Sequence, residues 1–169
     1  MKRALVVLAL LAAAGSAPVL DEVSSIVRVA YRLEGSVPYA WGGGHAVKPG
    51  PSKGTCKGYH GEITPCPAAK TTGVDCSGFA RWVYRLAYGR DVLGRGNTDA
   101  HIRRLQKVGH AEPGDLVFYG TTRRTHHVGV YIGAGRMVDA LRTGTRVRVD
   151  DVRVLGDIIG YYRLTAART

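Results

Sequence analysis

The chain has 169 residues, 45% of them hydrophobic and 22% charged, and its Lys and Arg outnumber Asp and Glu to give a net charge of +11. This balance fits one globular domain with a single core and excludes a disordered tail, a collagen or a chain of many membrane spans. The strong positive charge points to anionic polymers or surfaces as partners and is silent on fold.

Met1-Lys2-Arg3 precedes an unbroken apolar run from Ala4 to Ala14, and the small residues Gly15-Ser16-Ala17 follow. A charged start, a short apolar stretch and small residues form the pattern of a secretory leader, here within 1–17. Cleavage is expected after Ala14, because Pro18 would follow a cut at Ala17. The run is shorter than the ~20 apolar residues that span a bilayer; a buried N-terminal helix is the competing reading. No cysteine lies near the cut, which argues against a lipid anchor. Losing Lys2 and Arg3 takes the charge from +11 to +9. The mature chain is expected outside the cytosol.

Residues 18–38 hold a first helix, Asp21–Leu33, with Val23, Ile26, Val27, Ala30 and Leu33 at helical spacing and Gly35 after its end. The main domain is placed at 39–169. Tyr39-Ala40-Trp41-Gly42-Gly43-Gly44 is turn-rich and leads into a loop at 44–74 without helical or strand periodicity. That loop contains Cys56 and Cys66. Disulfides persist outside the cytosol, and a Cys56–Cys66 bridge would contribute about 2–3 kcal/mol. A metal site of Cys56, His60 and Cys66 is the alternative; it lacks the paired spacing and the fourth ligand of structural zinc.

A second helix begins at Asp75 as N-cap and ends before Gly89, with Phe79, Trp82, Val83 and Leu86 expected on its buried face. Beyond Gly94 the period changes. Pro113-Gly114-Asp115 reads as a turn, and strands are expected at Leu116–Tyr119, His127–Ile132, Arg136–Ala140, Arg146–Val149 and Ile158–Tyr162. Helices first and an antiparallel sheet second make an α+β domain.

With Cys56 and Cys66 paired, Cys76 is left as a lone thiol and a candidate nucleophile. It opens a helix, where unpaired N–H groups and the helix dipole favour an anion, so its thiol pKa is expected to fall. The same N–H groups could hold the oxyanion of a tetrahedral intermediate. Asp75 opposes the thiolate, so a further activating group is needed. A buried structural cysteine is the commoner fate of such a residue.

Six histidines are available: His45 and His60 in or beside the loop, His101 and His110 flanking a helical stretch, and His126 and His127 at a strand start. Along that strand His127, Gly129 and Tyr131 share one face, opposite the aliphatic Val128, Val130 and Ile132. His127 is therefore expected on an open patch beside Gly129, and His126 as a polar residue at the strand start. If Gly133-Ala134-Gly135 is a three-residue hairpin loop, Asp139 comes across the ladder to the His127 side and can fix its tautomer. A two-residue loop would flip the parity; an exposed strand charge is the plainer reading of Asp139.

Four stretches carry a resemblance to a known family: Tyr39-Ala40-Trp41-Gly42-Gly43, Asp75-Cys76-Ser77-Gly78-Phe79, Pro113-Gly114-Asp115-Leu116-Val117-Phe118 and His127-Val128-Gly129-Val130-Tyr131-Ile132-Gly133. In this order, from Tyr39 to Tyr162, the chain resembles the NlpC-type cell-wall cysteine peptidases. The resemblance implies a papain-like α+β fold, with the cysteine at a helix start packed on an antiparallel sheet. It implies hydrolysis of the bond between D-γ-glutamyl and a diamino acid in peptidoglycan stem peptides. Cys76 would be the nucleophile and His127 the base, with Tyr39 close to the thiol and Asp75 and Ser77 near the substrate's amino end. Neither a metal nor an organic cofactor is implied. Two departures stand out: the third catalytic position, most often histidine in this family, is Asp139 here, and the stretch from Trp41 to Cys76 is longer than usual and is expected to rim the cleft.

The leading expectation is thus a secreted cysteine endopeptidase, monomeric, with peptidoglycan as substrate and anionic wall polymers as partners through charge. An amidase or acyltransferase of the same fold, and a non-catalytic wall-binding module, are the alternatives. Specific nucleic-acid binding is disfavoured, since Arg and Lys are scattered from Arg28 to Arg168 without an aromatic platform.

Overall fold

The computed structural model describes residues 17–165. Residues 1–16, which carry the expected leader and its Ala14 cleavage point, lie outside the described residues. Helix α1 spans Ala17–Arg32. It begins four residues before the expected Asp21, since Pro18 is tolerated in a first helical turn where its missing N–H has no partner to lose. Ile26, Val29 and Ala30 are buried against helix α2, Cys76–Tyr88.

Helix α2 has the expected ends. Asp75, in extended backbone, accepts the Gly78 N–H at 2.7 Å, and Gly89 closes the helix at φ 70°. Its buried stripe is Cys76, Phe79, Ala80, Val83 and Tyr84. Leu86, expected inside, is 48% exposed, and Trp82 is only partly buried. At about 100° per residue, positions 82 and 86 fall beside the stripe traced by 76, 79, 80 and 83. Arg81 is buried instead, which its partners permit: Asp91 at 2.6 Å and the carbonyls of Gly44, Ala46 and Val47.

The 44–74 loop is not wholly irregular. Strand β1, Ser52–Lys53, pairs with β2, Thr72–Gly73, and a 3-10 turn occupies Pro67–Ala69. Cys56 and Cys66 form a disulfide, which removes both sulfurs from the metal alternative. Between His101 and His110, where a helical stretch is expected, the short helix α3, Thr98–Ile102, is already ending and strand β3, Gln106–Val108, follows.

Five further strands follow: β4, Leu116–Gly120; β5, Thr125–Gly133; β6, Arg136–Asp139; β7, Arg148–Asp151; and β8, Ile158–Arg163. With β3 they form one antiparallel sheet in the order β3-β8-β4-β5-β6-β7. The Pro113-Gly114-Asp115 turn is anchored from below, with buried Asp115 bound to Arg163 of β8 at 2.7 Å and Tyr84 of α2 donating to the Gly114 carbonyl at 2.7 Å. One sheet face presents Leu116, Phe118, Val128, Val130 and Val138 to the helices. The other carries a second cluster, Val117, Tyr119, Met137 and Val152. His127 belongs to this second face, which corrects the open patch expected beside Gly129. The Met137 sulfur covers Gly129 so closely that a Cβ there would have no room.

Candidate active site

The β5–β6 hairpin brings His127 and Asp139 together. Val130 pairs with Val138 and Tyr131 with Met137, the register a three-residue loop implies. The turn itself holds only Ala134 and Gly135, at φ 51° and 71°, with Gly133 opposite Arg136. A bulge at Ile132 absorbs the odd residue, so the parity survives the shorter turn. Asp139 Oδ2 then accepts a hydrogen bond from His127 Nε2 at 2.6 Å. Asp139 is fully buried, not an exposed strand charge. Burial pushes its carboxyl up from the ordinary range, and the bond to His127 opposes that shift. Its Oδ1 has no hydrogen-bond partner among the described residues.

Because Nε2 is committed to Asp139, Nδ1 is the His127 nitrogen left for chemistry. Cys76 lies against the strand at this point. Its Sγ donates to the His126 carbonyl at 4.0 Å, and the Val128 backbone on the other side of His127 also bonds it. The thiol differs from expectation. Burial first, and the Asp75 charge second, push Cys76 well above its ordinary pKa, against the hydrogen bonds from Val128 and Ser77. At the helix start the dipole favours a thiolate, but Cys76 is only 8% exposed and desolvation outweighs the dipole. To react, Cys76 needs a proton acceptor.

Cys76 and His127 open on a cleft of about 630 Å³. Tyr39 and Trp41 line it beside the thiol, Tyr59, Glu62 and Ile63 come from the stapled loop, and Arg142 to Thr145 form the facing wall. The loop therefore rims the cleft as expected. Ile63 reaches the backbone at Gly144 across it. Trp41 and Tyr59 meet edge to face at 5.8 Å, and the Trp41 indole donates to the Lys57 carbonyl at 2.8 Å. Burial raises the Tyr39 phenol well above its ordinary pKa, so it is neutral and can donate a hydrogen bond into the cleft.

Asp75 and Ser77 are not on the cleft wall. Asp75 Oδ1 accepts from Ser77 Oγ at 2.9 Å, and both carboxylate oxygens accept from His45 Nε2, at 3.0 and 2.9 Å. The sequence places His45 in or beside the loop and assigns it no role. Its position directly after Gly42-Gly43-Gly44 was the available signal, since that run lets backbone approach the start of α2. His126 is exposed and pairs with Asp157 at 2.7 Å, as suits a polar residue at the strand start.

Comparison with known proteins identifies the family and the fold. Residues 36–156 match the NlpC/P60 family. The peptidoglycan endopeptidase RipA of Mycobacterium tuberculosis is 35% identical over 120 residues, covering 71% of this chain and 22% of RipA. This chain thus spans about a fifth of that relative's length. The structure of the peptidoglycan hydrolase RipB from the same organism superposes with a TM-score of 0.68 at 30% identity, covering 88% of this chain and 67% of RipB. RipD, also from Mycobacterium tuberculosis and described as a non-catalytic domain adapted to peptidoglycan binding, superposes at 0.63 with 30% identity, covering 84% and 95%. The match over 36–156, on a papain-like α+β scaffold, means that the chain belongs to the NlpC/P60 family.

Proposed function

We propose that this chain is an exported cysteine endopeptidase that cleaves peptidoglycan stem peptides at the bond between D-γ-glutamyl and a diamino acid. The observation that carries it is the buried His127–Asp139 pair beside Cys76 at the floor of an open cleft. A binding module has no use for a carboxylate that fixes an imidazole tautomer. The activities of RipA and RipB support the substrate class. The Cys56–Cys66 bridge and the apolar leader support export.

In this mechanism His127 Nδ1 takes the thiol proton as the Cys76 sulfur attacks the γ-carbonyl carbon. The carbonyl oxygen becomes an oxyanion, bonded by backbone N–H groups at the start of α2 and by the Tyr39 hydroxyl. Each such donor is worth about 10²–10³ in rate. Collapse breaks the C–N bond, and His127 passes its proton to the departing amine. Water attacks the thioester next, giving His127 a proton that returns to sulfur. Asp139 stabilises the imidazolium in both halves, the more strongly for being buried.

The test is incubation of the protein with a defined tetrapeptide muropeptide and mass spectrometry of the products. Fragments separated between D-glutamate and the diamino acid, absent with Cys76→Ala, are expected. Cleavage at another amide would reassign it as an amidase, transfer to an acceptor amine as an acyltransferase, and binding without turnover as a wall-binding module.

A further inference from the structure

The proposed mechanism leaves one ionisable pair beside the nucleophile unused. His45 Nε2 lies 2.9 Å from Asp75 Oδ2, and Asp75 is both the N-cap of α2 and the residue before Cys76. The surroundings hold His45 in this place. Arg81, 1% exposed, binds the carbonyls of Gly44, Ala46 and Val47 on either side of it, and Arg95 donates to the His45 carbonyl at 3.2 Å. Gly43 and Gly44 press against Gly78, so the loop rests on the first turn of the helix. Asp75 in turn holds the Gly78 N–H and the Ser77 hydroxyl, and its charge opposes a thiolate at Cys76.

We propose that His45 is a positioning residue which holds Asp75 and, once protonated, cancels the Asp75 charge behind Cys76, so that thiol reactivity follows the protonation of His45. Neutral His45 donates Nε2–H to the carboxylate and leaves a full negative charge beside the sulfur. Protonated His45 keeps the same hydrogen bond and makes the pair electrically neutral, which lowers the cost of the thiolate. The other charged and titratable groups around the pair do not switch with it. Arg81 is committed to Asp91 and Arg95 stays charged, while His101 of α3 is buried and neutral, with a pKa pushed down to about 4.

This inference rests on Cys76 as nucleophile, and alkylation reads the thiolate whether or not any muropeptide is cleaved. Cys76 is the one free cysteine, so iodoacetamide under non-reducing conditions reports on it alone. Alkylation rates of the full chain would be measured from pH 5 to 9 for the wild type, His45→Gln and His45→Lys. Gln keeps a donor to Asp75 without a charge, and Lys keeps the charge at every pH in the range. At the acid end of the range the His45→Gln rate is expected about three- to tenfold below the wild type, with the two converging toward the alkaline end; a tenfold change equals one pKa unit. The His45→Lys protein should exceed the wild type at pH 8. A His45→Gln profile parallel to the wild type overturns the inference, as does an equal loss at every pH in both variants, which would mark a scaffold role. The expected profiles without muropeptide cleavage would leave this inference standing and sink the proposed activity.

Discussion

His127 and Asp139 meet at 2.6 Å with side chains 4% and 0% exposed, so the imidazole is oriented by a carboxylate that water does not reach. In that setting the Asp139 charge is worth most when His127 becomes positive, during the reaction. Asp139→Asn preserves the shape and loses the charge. The expected result is a fall in kcat of about 10²–10⁴ with KM nearly unchanged. Asp139→His, which installs the residue more usual in this family, should retain more activity than the Asn variant. Steady-state kinetics on a defined muropeptide, with melting temperatures to confirm folding, check both.

Acid sensitivity should trace in part to His101. It is fully buried, bonded through Nε2 to the Gly94 carbonyl at 3.1 Å, and burial lowers its pKa from 6.5 to about 4. Between those values the unfolded chain holds the extra proton and the folded one does not. Its stabilising effect is therefore complete above pH 6.5 and is lost as the pH falls toward 4. Urea unfolding at pH 6.5 and 4.5 should show a loss of about 2–3 kcal/mol in the wild type that is absent in His101→Gln. Equal losses in both proteins would remove His101 from the account.

The hairpin explains how far the sequence could be read. Alternation placed His127 and Asp139 on one face once a register was assumed, and the bulge at Ile132 kept that parity although the turn is a residue shorter. The caps of α2 were readable because Asp75 and Gly89 act within one turn. Burial across layers was not readable in the same way. Met137 fills the space over Gly129, and Leu86 lies beside the stripe; both depend on which element packs opposite. His45 escaped assignment because the 44–74 stretch has no period, and its path is set by Arg81, a charged residue no hydrophobic pattern would place inside.

The stapled loop should act on substrate binding more than on chemistry. Cys56 and Cys66 close a short loop that carries Tyr59, Glu62 and Ile63 to the cleft wall. Cys56→Ser/Cys66→Ser should cost about 2–3 kcal/mol of stability. Reordering about one such side chain's worth of freedom on binding, at about 0.5–1.5 kcal/mol, should raise KM about three- to tenfold while kcat changes little. Unfolding and kinetic measurements on the double variant check this; a fall in kcat alone would place the loop in the chemical step.

Arg81→Met tests the anchor under the His45 loop. Asp91, partly exposed, loses its ion pair, and the carbonyls of Gly44, Ala46 and Val47 lose their donor. A loss of about 2–4 kcal/mol is expected by urea unfolding, less than for a fully buried pair because water can reach Asp91. A change below about 0.5 kcal/mol, the level of an ordinary surface substitution, would contradict the assigned role.

In the proposed mechanism Cys76 carries the acyl group between the two halves of the reaction. Acid quenching of a single turnover on a defined tetrapeptide muropeptide, followed by intact-protein mass spectrometry, tests it most directly. A transient adduct with the mass of the γ-glutamyl fragment is expected, localised to the peptide containing Cys76 and absent from Cys76→Ala. Turnover that persists in Cys76→Ala would contradict it.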